Sequence, residues 1–129
     1  MKRPLNPVGI RAPFGRYSHG IAILPGSSLV FCSGQLGVLP DEKCPDTVEQ
    51  QAEVCFQNIR AILAEAGLGL SDIVRLNAYV TSREHMKGYM SVRDRYVTDP
   101  PPASTLMIVA GFTRPEFLVE VEAIAAKAG

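Results

Sequence analysis

Apolar and polar residues alternate along residues 117–125, near the end of the chain. Because side chains alternate faces along a β-strand, this pattern predicts a strand with one continuous apolar face. The opposite face mixes two apolar side chains with two carboxylates: Leu118, Ile124, Glu120 and Glu122. A solvated face would not usually hold Leu and Ile, and a closed core would not hold two Glu. The mixed face therefore predicts a subunit interface or the wall of a pocket, with solvated edge carboxylates as the alternative.

The same division into an apolar and a mixed face recurs in residues 73–80. This predicted strand places four apolar side chains on one face: Val74, Leu76, Ala78 and Val80. Its other face carries Arg75, Asn77 and Tyr79. Residues 104–109 are predicted as a further strand, and a turn region separates them from the last one.

Two segments have the apolar spacing of helices. Residues 47–66 place apolar side chains three and four positions apart, and they begin with a Thr-x-x-Gln capping box. Cys55 falls on the apolar stripe of this helix, which favours inert packing over a role as a nucleophile. A second helix is predicted over residues 83–97, and three consecutive prolines stop it. Its core-facing side chains are predicted to be Met86, Tyr89, Met90 and Tyr96.

The N-terminal part of the chain predicts an arm followed by a hairpin. Residues 1–16 contain three prolines and two glycines, which indicates an extended arm with little internal hydrogen bonding. Residues 17–24 and 29–34 have strand character, and the Pro-Gly-Ser-Ser segment between them is typical of a turn. These two strands are therefore predicted to pair with each other.

The order of the predicted elements, β-β-(β)-α-β-α-β-β, indicates the fold class. It contains two strand–helix–strand crossovers, and right-handed crossovers place both helices on the same side of one sheet. Residues 1–129 are thus expected to form a single α+β domain, a two-layer sandwich of a mixed β-sheet with two helices on one face. The uncovered mixed faces predict self-association, with pockets between subunits.

Composition excludes several classes of function. Lys plus Arg and Asp plus Glu number 13 each, so the formal net charge is zero and gives no long-range attraction to nucleic acid or acidic membranes. No segment approaches the length of a membrane span. The three cysteines lack a C-x-x-C motif and the two histidines lack paired ligand spacing. We therefore expect a cytoplasmic protein with no metal and no cofactor, which binds neither nucleic acid nor a membrane.

Polar residues at predicted strand ends are the candidates for chemistry: Tyr17, Ser33, Gly34, Gln35, Asn77, Ser104, Thr105 and Glu120. They occur within five motifs, which are GRYSHG (residues 15–20), FCSGQ (31–35), NIRAILAEAG (58–67), PAST (102–105) and VEVEAIA (119–125). In this order and spacing, the motifs resemble the Rid (YjgF/YER057c) family of reactive intermediate deaminases. The resemblance covers nearly the whole chain.

The resemblance implies a chorismate-mutase-like fold that assembles into a homotrimeric barrel with three clefts between subunits. Family members of this kind hydrolyse enamines and imines, such as 2-aminoacrylate, to a keto acid and ammonia without a cofactor. Carried over to this chain, Tyr17 and Glu120 become the candidate catalytic residues. Tyr17 would line the cleft, the backbone of Ser33 and Gly34 would contact the substrate, and Glu120 would hold the attacking water.

One position departs from the family pattern. Deaminating members have an Arg, which binds the substrate carboxylate, where Ser104 stands here. Neither Ser104 nor Thr105 can replace a guanidinium, although their hydroxyls could line a cleft for a neutral ligand. A displaced cation could come from Arg93, where the family often has Asn, or from Arg75 or Arg114. The alternative for each of the three is a solvated or structural charge.

Two functions from different classes follow from these residues. The first is a cofactor-free hydrolase or deaminase of a small enamine or imine metabolite. The second is a noncatalytic trimer that binds a small ligand or acts like a chaperone. Ribonuclease activity has been attributed to relatives, but the zero net charge argues against it in this chain.

Overall fold

The structure of the protein is a computed structural model that describes residues 2–129. Within these residues the chain forms six β-strands and two α-helices. In chain order they are β1 (Arg3–Leu5), β2 (Gly20–Ala22), β3 (Ser28–Leu36), α1 (Val48–Glu65), β4 (Ile73–Val80), α2 (Met86–Tyr96), β5 (Ala103–Ile108) and β6 (Val119–Lys127). Two short 3₁₀ turns, Leu70–Asp72 and Arg83–His85, precede β4 and α2.

The four longest strands form one mixed sheet in the order β3-β6-β4-β5. Strand β6 lies antiparallel to both β3 and β4, whereas β4 and β5 run parallel. Helix α1 connects β3 to β4, and α2 connects the parallel pair β4 and β5. The α+β fold with two helices and a mixed sheet, predicted from the order of elements, is confirmed.

One apolar core joins the two helices to the sheet. Its fully buried side chains include Phe56, Ile59 and Leu63 of α1, Tyr89 and Val92 of α2, Leu76 and Ala78 of β4, and Val119 and Val121 of β6. The predicted capping box is present at the start of α1. Thr47 Oγ1 accepts a hydrogen bond from the Gln50 backbone N–H at 3.1 Å, and the Gln50 side chain accepts one from the Thr47 N–H at 3.4 Å. This box aligns the first turn of the helix whose apolar stripe builds the core.

The sheet face away from the helices is uncovered within the chain. Three apolar side chains on this face are exposed: Leu29, Phe31 and Met107. A shallow pocket of about 270 Å³ lies on the same face, with Phe31, Ser33, Arg75, Asn77 and Glu122 among its lining residues. This is the mixed face that the strand patterns predict.

The predicted N-terminal hairpin is wrong. Strand β2 pairs with β1, with Pro4 opposite Ile21, so residues 3–5 of the expected arm are hydrogen-bonded strand rather than free chain. Strand β3 pairs with β6. Both β3 and β6 have nine residues, whereas β2 has only three. Strand β3 can therefore pair along most of its length with β6, near the end of the sequence, but not with β2.

The starts of two elements and the burial pattern at the start of β4 differ from the predicted ones. The last strand begins at Val119 rather than residue 117, because the Leu118 N–H donates to the side chain of α1 residue Gln51 instead of a strand. Helix α2 begins only after the 3₁₀ turn over residues 83–85. In β4, an irregular register next to Ile73 buries that side chain and leaves Val74 half-buried. No helix within residues 2–129 is long and apolar enough to cross a membrane.

Candidate functional site

Glu120 lies beside an irregularity in the neighbouring strand. The pairing register between β3 and β6 shifts between Cys32 and Gln35, so Ser33 and Gly34 form a bulge opposite Glu122, two residues along β6 from Glu120. A Cβ atom placed on Gly34 would lie only 2.6 Å from Cδ of Glu120. The glycine therefore leaves the space that the carboxylate occupies. Gly34 thus lies in a bulge, and the side chain that packs against its backbone is that of Glu120.

The environment of Glu120 favours its protonated form. Burial raises the pKa of the Glu120 carboxyl above its ordinary value, and the charge of Glu122 raises it further. Among residues 2–129, no side chain or backbone N–H donates a hydrogen bond to the Glu120 carboxylate. A half-buried carboxylate with a raised pKa and free oxygens is suited to accept a proton from water.

Glu122, two residues further on, is held by its neighbours. Its Oε1 accepts hydrogen bonds from Tyr79 Oη at 2.6 Å and from Asn77 Nδ2 at 3.2 Å. The bond from the Tyr79 hydroxyl to this carboxylate raises the pKa of Tyr79. The two carboxylates of β6 thus differ in their hydrogen bonding within residues 2–129. Glu122 accepts hydrogen bonds from β4, whereas the carboxylate oxygens of Glu120 accept none.

A second group of candidate residues surrounds a cavity at the other edge of the sheet. The cavity has a volume of about 400 Å³ and lies between α2, β5 and the segment that precedes β2. Its lining consists of Phe14, Gly15, Tyr17, Met86, Met90, Arg93, Ser104, Thr105 and Leu106. The structure therefore brings four of the predicted site residues together: Tyr17, Arg93, Ser104 and Thr105.

Arg93 is buried against this cavity. Only 5% of the residue is exposed, so the interpretation of Arg93 as a solvated charge is wrong. Its Nε and Nη2 atoms both donate to Oδ1 of Asp94, at 3.1 and 3.0 Å. A Cβ atom on Gly15 would lie 3.6 Å from Nη2, which places the guanidinium next to the segment that carries Tyr17.

The other two arginines that the sequence singled out lie elsewhere. Arg75 projects from β4, and its Nη2 donates to Oγ1 of Thr105 at 2.7 Å. Arg114 pairs with Glu116 at 2.8 Å and stacks over the Phe117 ring, 4.5 Å from its centroid. Of the three arginines, only Arg93 lines the cavity that holds Tyr17.

Ser104 and Thr105 follow each other on β5, so their side chains leave opposite faces of the strand. Ser104 is level with the buried residue Leu76, and Thr105 is level with Asn77 of the mixed face. Thr105 is exposed and holds Arg75, while Ser104 is half-buried on the side of α2. Both residues line the cavity, but their hydroxyls leave opposite faces of β5.

Within one chain, the Glu120 group and the Tyr17 group are far apart. Glu120 pairs with Tyr79 on β4, and Tyr79 is level with Met107 on β5, three residues beyond Ser104. Two strand spacings across the sheet and three residues along it correspond to a separation of about 14 Å between the backbones of Glu120 and Ser104. A small molecule cannot contact both groups at once in a single chain.

Sequence reasoning missed Gln51, which fixes the segment leading to Glu120. Its fully buried side chain makes three hydrogen bonds to backbone groups. Nε2 donates to the carbonyl oxygens of Pro45 and Glu116, both at 2.9 Å, and Oε1 accepts from the Leu118 N–H at 2.8 Å. The available signal was a polar residue on the apolar stripe of α1, next to Ala52.

Within residues 2–129, no group of three or more His, Cys, Asp or Glu side chains is arranged to hold a metal ion. The Cys55 thiol is enclosed in the core and donates to the carbonyl oxygen of Gln35 at 3.1 Å. Burial raises the pKa of Cys55 to about 12, which keeps it in the unreactive thiol form.

Comparison with known proteins extends over nearly the whole chain. Residues 9–127 match the family model described as endoribonuclease L-PSP. A RutC family protein of Pyrococcus abyssi is 30% identical over 117 residues, which cover 89% of this chain and 89% of the relative. The putative reactive intermediate deaminase TdcF of Escherichia coli is 29% identical over 123 residues, 91% of this chain and 92% of that protein.

Among solved structures, a crystal structure from Yersinia pestis superimposes with a TM-score of 0.85 and 25% identity, and it covers 98% of both chains. It is described as YyfB, a protein of unknown function in the conserved Rid family. The sequence comparisons and the structural comparison thus agree with each other over nearly the whole chain.

Proposed function

This chain belongs to the Rid family (YjgF/RutC, endoribonuclease L-PSP), and from that premise we propose that it is a cofactor-free hydrolase of small enamines or imines that works as a homotrimer. The site would be a cleft between neighbouring subunits, with Glu120 as the catalytic carboxylate and Tyr17 opposite it. Similarity to a putative reactive intermediate deaminase supports the reaction class.

The separation of the two residue groups is the observation that carries this proposal. The bulge of Ser33 and Gly34 lies beside Glu120 on one part of the sheet, whereas the backbone of Ser104, which lines the cavity that holds Tyr17, lies about 14 Å from that of Glu120. A second copy that covers the open sheet face could bring its own Tyr17 group against this Glu120 group. Exposed Phe31 and Met107 on that face give the copy an apolar surface to bury.

The chemistry needs one carboxylate and one water. Glu120 accepts a proton from the water as the water oxygen forms a bond to the imine carbon, and the protonated Glu120 passes that proton to the imine nitrogen, which becomes an amine. When the carbinolamine collapses, the C–N bond breaks, the nitrogen leaves as ammonia and the hydroxyl becomes the carbonyl of the product. An imine carbon is already electrophilic, so positioning and proton transfer can suffice without a cofactor.

The raised pKa of Glu120 suits both halves of this reaction. A carboxylate with a pKa nearer to neutrality is a stronger base toward water, and a larger fraction of it is protonated at working pH and can serve as the acid for the leaving nitrogen. The backbone at Ser33 and Gly34 lies alongside this carboxylate and would contact the substrate.

The test is hydrolysis of 2-aminoacrylate and related imines generated in the assay, with ammonia and keto acid as the measured products. Wild type should accelerate the reaction, and Glu120→Gln should remove the acceleration. Glu122→Gln is the matched control, because Glu122 is anchored to Tyr79 and Asn77 and should retain most activity. Absence of turnover across a broad set of imines would overturn the enzyme proposal and favour the noncatalytic ligand-binding alternative.

The assembly has its own test. Light scattering at assay concentration should give three times the mass of the 14.0 kDa chain. A single subunit under the same conditions would contradict the intersubunit cleft, because one chain cannot bring Tyr17 and Glu120 to one ligand.

A further inference from the structure

Helix α1 carries two polar side chains on the stripe that faces the sheet. Gln51 and Cys55 lie one turn apart on this helix, and neither has any exposed surface. A buried polar group costs free energy unless it is hydrogen-bonded, so the partners of the two side chains indicate what they hold in place. Both bond to backbone groups of the strands next to Glu120.

Cys55 is attached to β3 at the point where the pairing with β6 resumes after the bulge. Its Sγ donates to the carbonyl oxygen of Gln35 at 3.1 Å. Gln35 is level with Val121, and the next pair along the two strands is Leu36 with Glu120. The thiol therefore anchors β3 one residue pair away from the backbone that carries the carboxylate.

Gln51 holds the same two strands from the other side of that pair. Its Oε1 accepts a hydrogen bond from the Leu118 N–H, two residues before Glu120. Its backbone packs against Gly37, the residue after Leu36, because a Cβ atom on Gly37 would lie only 2.6 Å from Gln51 Cα. Helix α1 thus contacts the chain on both sides of Leu36 and reaches the start of β6 just before Glu120.

The position of the Glu120 carboxylate depends on how closely β3 approaches β6. The carboxylate fills the place where Gly34 lacks a side chain, and its Cδ lies 2.6 Å from the position of a Cβ atom there. A displacement of β3 by a fraction of an ångström would admit water beside the carboxylate or turn it away from a substrate. A reaction that depends on a positioned group loses about a hundredfold in rate for a displacement of about 1 Å.

From these contacts we propose that Gln51 and Cys55 are positioning residues for Glu120, which fix β3 and β6 around it without touching the substrate. Cys55 does so as a hydrogen-bond donor, in its unreactive thiol form. The effect on turnover rests on the proposed function. The effect on the surroundings of Glu120 does not, because it can be measured on the protein without a substrate.

The primary experiment compares Cys55→Ala with Cys55→Ser in the hydrolysis of imines. Alanine removes the donor to Gln35, whereas the serine hydroxyl supplies another donor. Cys55→Ala should lower kcat about tenfold with a smaller change in KM, and Cys55→Ser should stay within about threefold of wild type.

Cys32→Ala is the matched control for the loss of a buried thiol. Cys32 belongs to the same apolar core, and its thiol makes no hydrogen bond within residues 2–129. The variant therefore loses packing without losing an anchor, and it should keep the kcat of wild type.

The ionisation of Glu120 separates positioning from a general loss of stability. The groups whose charges act on Glu120 are Glu122 of β6, Tyr79 of β4 and the Cys55 thiol of α1, which is uncharged at neutral pH. Cys55→Ala removes no charge, so a lower pKa of Glu120 in this variant reports water beside the carboxylate. A loss of folded protein would lower kcat at every pH without moving this pKa.

Nuclear magnetic resonance of protein labelled with ¹³Cδ-glutamate measures this pKa. The Glu120 signal is assigned by its loss in Glu120→Gln. It should titrate at lower pH in Cys55→Ala than in wild type, and at the wild-type pH in Cys32→Ala. The acidic limb of the kcat/KM profile of Cys55→Ala should move in the same direction.

Gln51→Leu extends the test to the second anchor and covers the case in which Cys55→Ala fails to fold. At a temperature at which circular dichroism shows Gln51→Leu to be folded, it should lower both kcat and the pKa of Glu120. Gln57→Leu, on the exposed side of the same helix, should change neither.

Folded Cys55→Ala with the kcat and the Glu120 pKa of wild type would refute the proposed positioning. So would a loss in Cys55→Ser as large as in Cys55→Ala, because the hydrogen bond would then not be the cause. A wild type that hydrolyses no imine, together with a lower Glu120 pKa in Cys55→Ala, would refute only the proposed hydrolysis and would support the role of the two α1 residues.

Discussion

The carboxylate of Glu120 occupies the space that any side chain at position 34 would need. A Cβ atom on Gly34 would lie 2.6 Å from Glu120 Cδ and 2.8 Å from Oε2, closer than non-bonded atoms approach. The two residues are 86 positions apart in sequence and meet because the bulge in β3 breaks the register opposite β6. The position of the Glu120 carboxylate therefore depends on a glycine within the neighbouring strand.

This contact predicts that Gly34→Ala and Glu120→Ala are coupled. Gly34→Ala alone should lower the free energy of unfolding by about 1–3 kcal/mol, because the new methyl group collides with the carboxylate and forces β3 or Glu120 to move. In the double variant the collision partner is gone, so the cost of Gly34→Ala should fall by about 1 kcal/mol or more. Urea denaturation of the four proteins measures the cycle. Additive effects would show that the cost of Gly34→Ala does not come from the contact with Glu120.

Ionisation of Glu120 should lower the free energy of unfolding. Its pKa in the folded chain is raised above the ordinary value of 4.5, so the folded state binds this proton more tightly than the unfolded state. The wild type should therefore lose stability relative to Glu120→Gln as pH rises through 4.5 and the folded-state pKa above it. The unfolding free energies of the two proteins, measured from pH 4 to pH 7, should diverge in favour of the Gln variant. If the two unfolding free energies instead converged as pH rises, the pKa of Glu120 in the folded chain would have to be lowered rather than raised.

The pH dependence of activity follows from the same ionisation. Hydrolysis that uses Glu120 as a base should decline as pH falls through its raised pKa, because the carboxyl becomes protonated. The decline in kcat/KM should begin above the pH at which an ordinary Glu titrates. Glu122→Gln should shift the decline to lower pH, since the charge of Glu122 contributes to raising the pKa of Glu120.

Gln51→Leu should destabilise the fold by about 2 kcal/mol or more. The substitution leaves the carbonyl of Glu116 and the N–H of Leu118 buried without the partners they have now, and each unsatisfied group costs about 1–3 kcal/mol. Gln57→Leu on the exposed side of the same helix is the matched control and should change stability little. Denaturant unfolding compares the two. Similar stability of both variants would mean that water replaces the Gln51 side chain.

Cysteine reactivity should follow burial. Cys55, with a pKa raised to about 12 and a thiol hydrogen bond to Gln35, should resist iodoacetamide at pH 8 in the folded protein. Cys44 is only partly buried and should be labelled first. Peptide mass spectrometry after timed alkylation gives the order. Labelling of Cys55 at the rate of Cys44 would show that the core around α1 opens readily.

Residues 73–80 and the capped helix over residues 47–66 show what the sequence determines. Each element has a period of its own, two for a strand and 3.6 for a helix, and the apolar face is visible within a few neighbouring positions. The mixed faces of β4 and β6 were predicted in the same way, as was the inert packing of Cys55. Motifs spread over the chain identified the Rid family because their order and spacing are properties of the sequence itself.

The tertiary structure alone decided which segments meet. Strand β2 pairs with β1 rather than with β3. Arg93 is buried because α2 packs beside Gly15, although no other residue of α2 distinguishes Arg93 from a solvated arginine. Likewise, Gln51 bonds to Glu116 across 65 positions. Periodicity reports only which face of an element is apolar, whereas burial, hydrogen-bond partners and raised pKa values depend on contacts between residues that are distant in the chain. For that reason the sequence could propose Glu120 and Arg93, but only the fold placed Glu120 beside the bulge of β3 and Arg93 against the cavity between α2 and β5.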